Sequence, residues 1–249
     1  MASTLSESSR ISTNPSRIVL ITGVSKGLGR ALALELANRG HTIIGCSRDQ
    51  PKLDSLRQQL SSNNHLLFNA NVRSNNNVKE LARAVVQNKC VPDIIVNNAG
   101  VVNRIGNAWE IDVEDFDNVI DTNVKGIANV LRHFIPLMIP NKHGIIINMS
   151  SIAGRTGITH IAPYCASKWA VEGLSKSVAK ELPEGMAVVA LDPGTINTDM
   201  LVSATGSSAS KYLTPERWAI KAATMILDIT ASDNGASLTM KDPTELYKP

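Results

Sequence analysis

Ile18-Val19-Leu20-Ile21-Thr22-Gly23-Val24-Ser25-Lys26-Gly27-Leu28-Gly29 joins an apolar run to a glycine-rich turn, and Leu28, Ala31, Leu32 and Leu36 then recur at helical spacing. The run reads as a buried strand and the segment after it as an amphipathic helix, with Gly40 as its left-handed cap. Glycine spacing becomes informative in such a strand–turn–helix context. Glycines let the backbone approach a pyrophosphate, and the first turn of the helix offers unpaired N–H groups and the positive end of its dipole. Here the pattern is Gly-x-x-x-Gly-x-Gly, not the more familiar Gly-x-Gly-x-x-Gly. A purely structural turn is the alternative.

The next strand, Thr42-Ile43-Ile44-Gly45-Cys46, ends at Ser47-Arg48-Asp49. In dinucleotide-binding folds an acid at this point holds the ribose 2′-hydroxyl of NAD, whereas a cation accepts the 2′-phosphate of NADP. Counting about 20 residues from the last glycine lands on Asp49. Asp49, however, precedes Pro51-Lys52-Leu53 as a natural helix N-cap. Arg48 at the end of the strand and Lys26 in the glycine turn favour NADP(H).

Strand and helix patterns keep alternating. Strands are predicted at 66–68, 94–96, 144–149, 186–191 and 237–240, and helices at 78–86, 113–138, around Tyr164, and at 215–229. No repeat or interior linker interrupts them. Regular βα alternation with right-handed crossovers gives an α/β fold with a single doubly wound parallel sheet, helices on both faces. Ligands of such sheets bind beyond the carboxyl ends of the strands. The segments Gly23 to Gly29, Ser47, Asn97-Asn98-Ala99-Gly100, Ser151 and Pro193-Gly194 all follow strands and are predicted to gather on that edge.

Tyr164-Cys165-Ala166-Ser167-Lys168 places a phenol and an ammonium one helical turn apart on one face. A nearby cation favours the phenolate. Lowering the phenol from about 10 to about 7 requires roughly 4 kcal/mol of differential stabilisation. Taken alone, the pair also fits an ordinary helix surface. Composition excludes several other classes. The 249-residue chain carries a formal charge of +3, too small and too evenly spread to argue for nucleic acid or an anionic membrane. No apolar run approaches the roughly 20 residues that span a bilayer. Cys46, Cys90 and Cys165 are odd in number and widely spaced, which points to a reducing, cytoplasmic setting and to no disulfide frame or zinc site. His41, His65, His133 and His143 form no ligand-like cluster, so no metal is expected.

In combination these motifs resemble the short-chain dehydrogenase/reductase family. Thr22-Gly23-x-x-x-Gly27-x-Gly29, Asn97-Asn98-Ala99-Gly100, Asn123, Ser151, Tyr164-x-x-x-Lys168 and Pro193-Gly194 occur in the family's order from about residue 17 to 240. Ser151, 13 residues before Tyr164 (164 − 151), matches the catalytic serine better than Ser150. The resemblance implies that Tyr164 is the general acid, that Lys168 tunes it and holds the nicotinamide ribose, and that Ser151 polarises the carbonyl. It assigns Asn123 a water that relays protons to Lys168. For the cofactor it implies Gly23, Ser25, Lys26, Gly27, Leu28, Gly29, Ser47 and Arg48, then Asn71 and Val72 at the adenine. Asn97 and Ala99 fall on the adenosine side, and Pro193, Gly194, Ile196 and Thr198 near the carboxamide, with Tyr164 and Lys168 completing the set.

Within the family the chain is similar to plant NADPH-dependent reductases of pterin aldehydes, which implies a small carbonyl substrate. A 3-oxoacyl thioester reductase or secondary-alcohol dehydrogenase is the alternative enzyme, and an NADPH-binding sensor the alternative of another class. Leu238-Thr239-Met240-Lys241-Asp242-Pro243 lacks the Asp-Gly-Gly of many ketoacyl reductases. The Ser- and Ala-rich segment 199–213 reads as a flexible lid or a plain loop. His160 and Trp169 flank the catalytic stretch. Residues 1–16 are expected to be a disordered tail, with a transit-type segment as the alternative, and 17–249 a single Rossmann-type domain that assembles as a homodimer or homotetramer.

Overall fold

The computed structural model describes residues 15–62 and 64–240. Seven parallel strands form one sheet: β1 (Ile18–Thr22), β2 (Thr42–Ser47), β3 (Leu66–Asn69), β4 (Ile94–Asn97), β5 (Gly144–Met149), β6 (Met186–Asp192) and β7 (Ser237–Thr239). They lie in the order β3-β2-β1-β4-β5-β6-β7. The order reverses between β1 and β4, and the loops leaving those two strands border the crevice where such sheets bind ligands.

The helices are α1 (Gly27–Asn38), α2 (Gln50–Gln59), α3 (Asn75–Gln87), α4 (Val113–Ile120), α5 (Gly126–Met138), α6 (Ala162–Ala179), α7 (Asp199–Thr205) and α8 (Pro215–Asp228). Period-two side-chain alternation splits each central strand between two cores. Val19, Ile21, Ile94, Val96, Ile145, Ile147, Ala187 and Val189 pack with α1, α2 and α8. Leu20, Ile95, Ile146 and Val188 pack with α3, α5 and α6. Burial on both faces is what an aliphatic run such as Ile18 to Ile21 requires. Gly40, at φ +87°, closes α1 by donating its N–H to Ala37 O at 2.9 Å.

The structure differs from the sequence pattern in two places. The helix expected over 113–138 is interrupted by a π-turn, Asp121–Lys125, which contains Asn123. Such wide turns inside helices often mark functional sites. The segment 199–213 is folded, not loose: α7 is capped by Thr198, whose Oγ1 accepts from Leu201 N at 3.3 Å, and a 3₁₀ turn, Gly206–Lys211, follows. Ile196 bridges to Leu213, and Asn197 N donates to Leu213 O at 2.9 Å, which closes the base of the excursion. The hydroxylated residues that suggested floppiness bond within it: Ser203 Oγ donates to Met200 O and Ser210 Oγ to Ser207 O, each at 2.8 Å.

Residues 1–14 of the expected tail, and 241–243 of the C-terminal motif, lie outside the described residues. Ser16 at the tail's edge donates its hydroxyl to Gly40 O at 2.8 Å. No helix among the described residues is long and apolar enough to cross a membrane.

Candidate active site

The glycine turn is pressed against the loop that leaves β4. Asn98 Nδ2 donates to Thr22 O at 2.9 Å and to Gly23 O at 3.3 Å, and Ala99 N donates to Thr22 Oγ1 at 3.0 Å. Gly23 adopts φ +74°, and a Cβ there would fall 2.9 Å from Ala99 Cα. A Cβ on Gly29 would fall 2.4 Å from Asn98 Nδ2. Close approach is therefore the requirement at both positions. Lys26, the N-cap of α1, makes no side-chain cap bond, so the N–H groups of the first turn stay available to an anion. A dinucleotide pyrophosphate fits this cradle.

At the end of β2 the cap expected of Asp49 is observed. Its Oδ1 accepts from Lys52 N at 3.1 Å, and Lys52 Nζ lies 2.9 Å from its Oδ2. These hydrogen bonds from Lys52 hold the carboxyl below the usual carboxylate range. Ser47 is buried and its Oγ accepts from Asp49 N at 3.2 Å. Arg48 is exposed and has no hydrogen bond or ion pair among the described residues.

Lys26 departs from expectation. Its Nζ donates to Asp199 Oδ2 at 3.0 Å, across to the start of α7. Three more of the expected cofactor residues have their side chains engaged within the protein. Val72 is core, packed against the position of Gly126. Asn71 Oδ1 is occupied by Arg73 N at 3.1 Å. Asn97 turns into the sheet, its Nδ2 donating to Asn148 Oδ1 at 2.8 Å, because an amide at a buried strand end needs a partner there.

The post-β6 loop is anchored from α8: Trp218 Nε1 donates to Pro193 O at 3.1 Å. Gly194, at φ +78°, donates its N–H to Asp192 Oδ1 at 3.0 Å. Ile196 is buried at the base of the α7 excursion, and the Thr198 methyl would lie 3.8 Å from a Cβ on Gly27. The excursion thus faces the glycine turn.

The side chains expected to be catalytic meet where α6 crosses the end of β5. Lys168 Nζ donates to Met149 O at 2.7 Å and stands over the Tyr164 ring, 5.4 Å from its centroid. The Ser151 hydroxyl lies beside the phenol and acts to lower its pKa. One position further into the strand, Asn148 Nδ2 donates to Ser175 Oγ at 2.9 Å. Tyr164 N donates to Asn103 Oδ1 at 3.3 Å, and Asn103 Nδ2 donates to His160 O at 3.2 Å, which ties the β4 loop to the start of α6.

Asn123 sits in the π-turn with its amide fully engaged. Oδ1 accepts from Val101 N at 2.8 Å, and Nδ2 donates to Val101 O and Ser167 Oγ, each at 2.9 Å. A Cβ on Gly100 would lie 3.4 Å from Asn123 Oδ1 and 3.9 Å from Lys168 Nζ. Gly100 thus lies next to both side chains.

The phenol's acidity reverses the expectation drawn from sequence. Burial pushes Tyr164 up to about 12, the neighbouring Ser151 hydroxyl pulls the other way, and the Asp192 carboxylate pushes it further up. Burial brings Lys168 down to about 8, with Asp192 opposing. Lys168, itself buried and bonded to Met149 O, is not among the groups that lower the phenol. Tyr164 is accordingly protonated at neutral pH, a proton donor with Ser151 next to it.

Sequence reasoning missed Asn103, Trp218 and Glu172. Only Glu172 carried a signal, as an ionisable residue one further turn along the Tyr164–Lys168 stripe. Comparison with known proteins agrees with this geometry. Residues 17–208 match the short chain dehydrogenase family. The chain is 67% identical over 225 residues to an NADPH-dependent pterin aldehyde reductase of Arabidopsis thaliana, covering 90% of this chain and 93% of that protein. It is 36% identical to a 3-oxoacyl-[acyl-carrier-protein] reductase of Staphylococcus epidermidis, over 73% of this chain and 75% of the relative. The actinorhodin polyketide ketoreductase with NADPH superposes with a TM-score of 0.81 at 27% identity, covering 90% of this chain and 95% of the other.

Proposed function

The chain belongs to the short-chain dehydrogenase family, and we propose that it is an NADPH-dependent reductase that converts a pterin aldehyde to its alcohol. The observation that carries the chemistry is Lys168 Nζ held over the Tyr164 ring, with the Ser151 hydroxyl acting on the same phenol. The substrate class follows the 67% identity to the Arabidopsis reductase.

The glycine turn and first turn of α1 would hold the pyrophosphate, and exposed Arg48 would donate charge-assisted hydrogen bonds to the 2′-phosphate. When bound, NADPH supplies the hydride. The chain itself supplies orientation and a proton. The Ser151 hydroxyl donates to the carbonyl oxygen and polarises it, so negative charge develops beside a fixed donor. Tyr164 then gives its phenolic proton to that oxygen. A phenol near 12 remains the stronger acid against an alkoxide, and buried Lys168 favours the phenolate left behind. Asn123 holds Val101 and Ser167, which fixes the wall beside Lys168.

We further infer a cytoplasmic homodimer or homotetramer. The free thiols of Cys46, Cys90 and Cys165 suit a reducing compartment. Trp109, 83% exposed in the turn before α4, and the exposed Val113 and Phe116 of α4 and Trp169 of adjacent α6 favour association through those helices.

The test is a carbonyl screen with purified protein, following NADPH absorbance. Pterin aldehyde turns over with a higher kcat/KM than an acetoacetyl thioester, and NADPH is preferred to NADH. Faster turnover of the thioester replaces the substrate assignment. NADPH binding without turnover on any carbonyl leaves the sensor reading.

A further inference from the structure

We propose that Glu172 is a positioning residue for this reaction, setting the Ser151 hydroxyl against the Tyr164 phenol; the inference rests on the carbonyl-reductase reading above. Glu172 lies one turn beyond Lys168 on α6 and is 6% exposed. Its Oε1 accepts from Ser150 Oγ at 2.6 Å and from Arg155 Nε at 3.0 Å, and its Oε2 accepts from Ser237 Oγ at 2.6 Å. Ser150 and Arg155 bracket the turn that carries Ser151. One carboxylate oxygen therefore grips both ends of the segment from which the catalytic hydroxyl projects.

That segment has little freedom elsewhere. Ser150 N donates to Leu191 O at 2.7 Å, Ala153 N donates to Ser151 Oγ at 3.2 Å, and Gly154 N donates to Ser151 O at 2.9 Å. A Cβ on Gly154 would fall 2.9 Å from Ser150 Oγ and 2.8 Å from Lys168 O, so the turn lies directly on α6. The helix meets the strand end residue by residue: Ser175 faces Asn148, Lys168 faces Met149, Glu172 faces Ser150, and Tyr164 faces Ser151. Of these four, Glu172 alone reaches around the serine turn.

A buried carboxylate is costly to desolvate and is retained where its bonds are good. Burial works to raise the Glu172 pKa, but the bonds from Ser150, Ser237 and Arg155 outweigh it and hold the carboxyl below its ordinary value. The grip is thus anionic across neutral pH. Arg155 also donates to Thr239 Oγ1 and to Leu238 O at 2.8 Å, so the same carboxylate fastens edge strand β7. Positioning and fastening separate by experiment, because Ser150 and Ser237 take different oxygens.

The variants are Glu172→Gln, Ser150→Ala, Ser237→Ala and the Glu172→Gln/Ser150→Ala double. Glu172→Gln and Ser150→Ala are each expected to lower kcat by about tenfold to a hundredfold, the scale of a small misplacement at the reacting atoms. NADPH affinity, read by fluorescence, stays within about twofold, because a positioning loss falls on the chemical step. In alcohol oxidation the pH-dependent rise of kcat/KM moves to higher pH in both, since a loosened Ser151 no longer favours the phenolate. The double variant is no slower than the slower single one, and Ser237→Ala keeps kcat. An unchanged kcat in Ser150→Ala, fully multiplicative losses in the double, or Ser237→Ala as slow as Ser150→Ala overturns the inference. Should Glu172→Gln fail to fold, Ser150→Ala and Ser237→Ala decide it alone. A wild type inert towards every carbonyl fails the reading and the inference together, whereas an active wild type with an indifferent Ser150→Ala fails the inference only.

Discussion

At the end of β5, Lys168 and Glu172 sit buried among hydrogen bonds to the strand they face, whereas at the end of β2, Arg48 stands in solvent without a partner among the described residues. Both ends belong to the proposed reaction, yet they are built by different means. The catalytic end holds charge in a dry setting, where each bond fixes an atom and a lost partner leaves an orphan. The phosphate end combines steric clearance at Gly23 and Gly29 with exposed charges, which solvent screens. Changes at the first end should stop chemistry, and changes at the second should shift which nucleotide binds.

The hardest test of this contrast is Tyr164→Phe. It removes the proton donor and should lower kcat by roughly 10²- to 10⁴-fold, while NADPH still binds in a fluorescence titration. Loss of binding together with turnover would erase the distinction between the two ends.

Lys168→Met probes the same end through stability. The lysine's ordinary value of 10.5 falls to about 8 in the folded chain. Between those pH values the unfolded chain keeps a proton that the folded chain has released, so this group makes stability rise with pH through the window. Relative to Lys168→Met, wild type should therefore gain up to about 3 kcal/mol between pH 8 and 10.5 in urea unfolding. A flat difference means that the ammonium is not desolvated as described.

At the other end, Arg48→Asp should lower the NADPH-over-NADH preference in kcat/KM by about tenfold to a hundredfold, the scale of one charge-assisted bond. Its melting temperature should stay near that of wild type. Lys26→Ala is the smallest change. With side chains 61% and 76% exposed, the Lys26–Asp199 pair adds little. The KM for NADPH should move by no more than about threefold, since screened surface charges act weakly. A larger rise would show Lys26 leaving Asp199 for the phosphate.

The order and kind of the strands and most helices could be read from the chain, because apolar period and turn residues are local properties; the π-turn at Asp121–Lys125 and α7 could not. Ile18 to Ile21 had to be buried on both faces, Asp49 before a proline had to cap a helix, and Gly40 had to end one. The spacing of Tyr164 and Lys168 placed them on one face for the same reason. Spacing could not say where a charge would point or how dry its surroundings would be. Only the packed molecule turned Asn97 and Val72 inward, sent Lys26 to Asp199, and placed Lys168 over the ring of Tyr164, so that burial sets the phenol's acidity. Glu172 was visible only as one more acid on a helix, and its hold on the serine turn depends on residues 17, 22 and 65 positions away in the chain. Periodicity is written in neighbouring residues, whereas hydrogen-bond partners and desolvation are fixed by distant segments that meet only when the sheet closes.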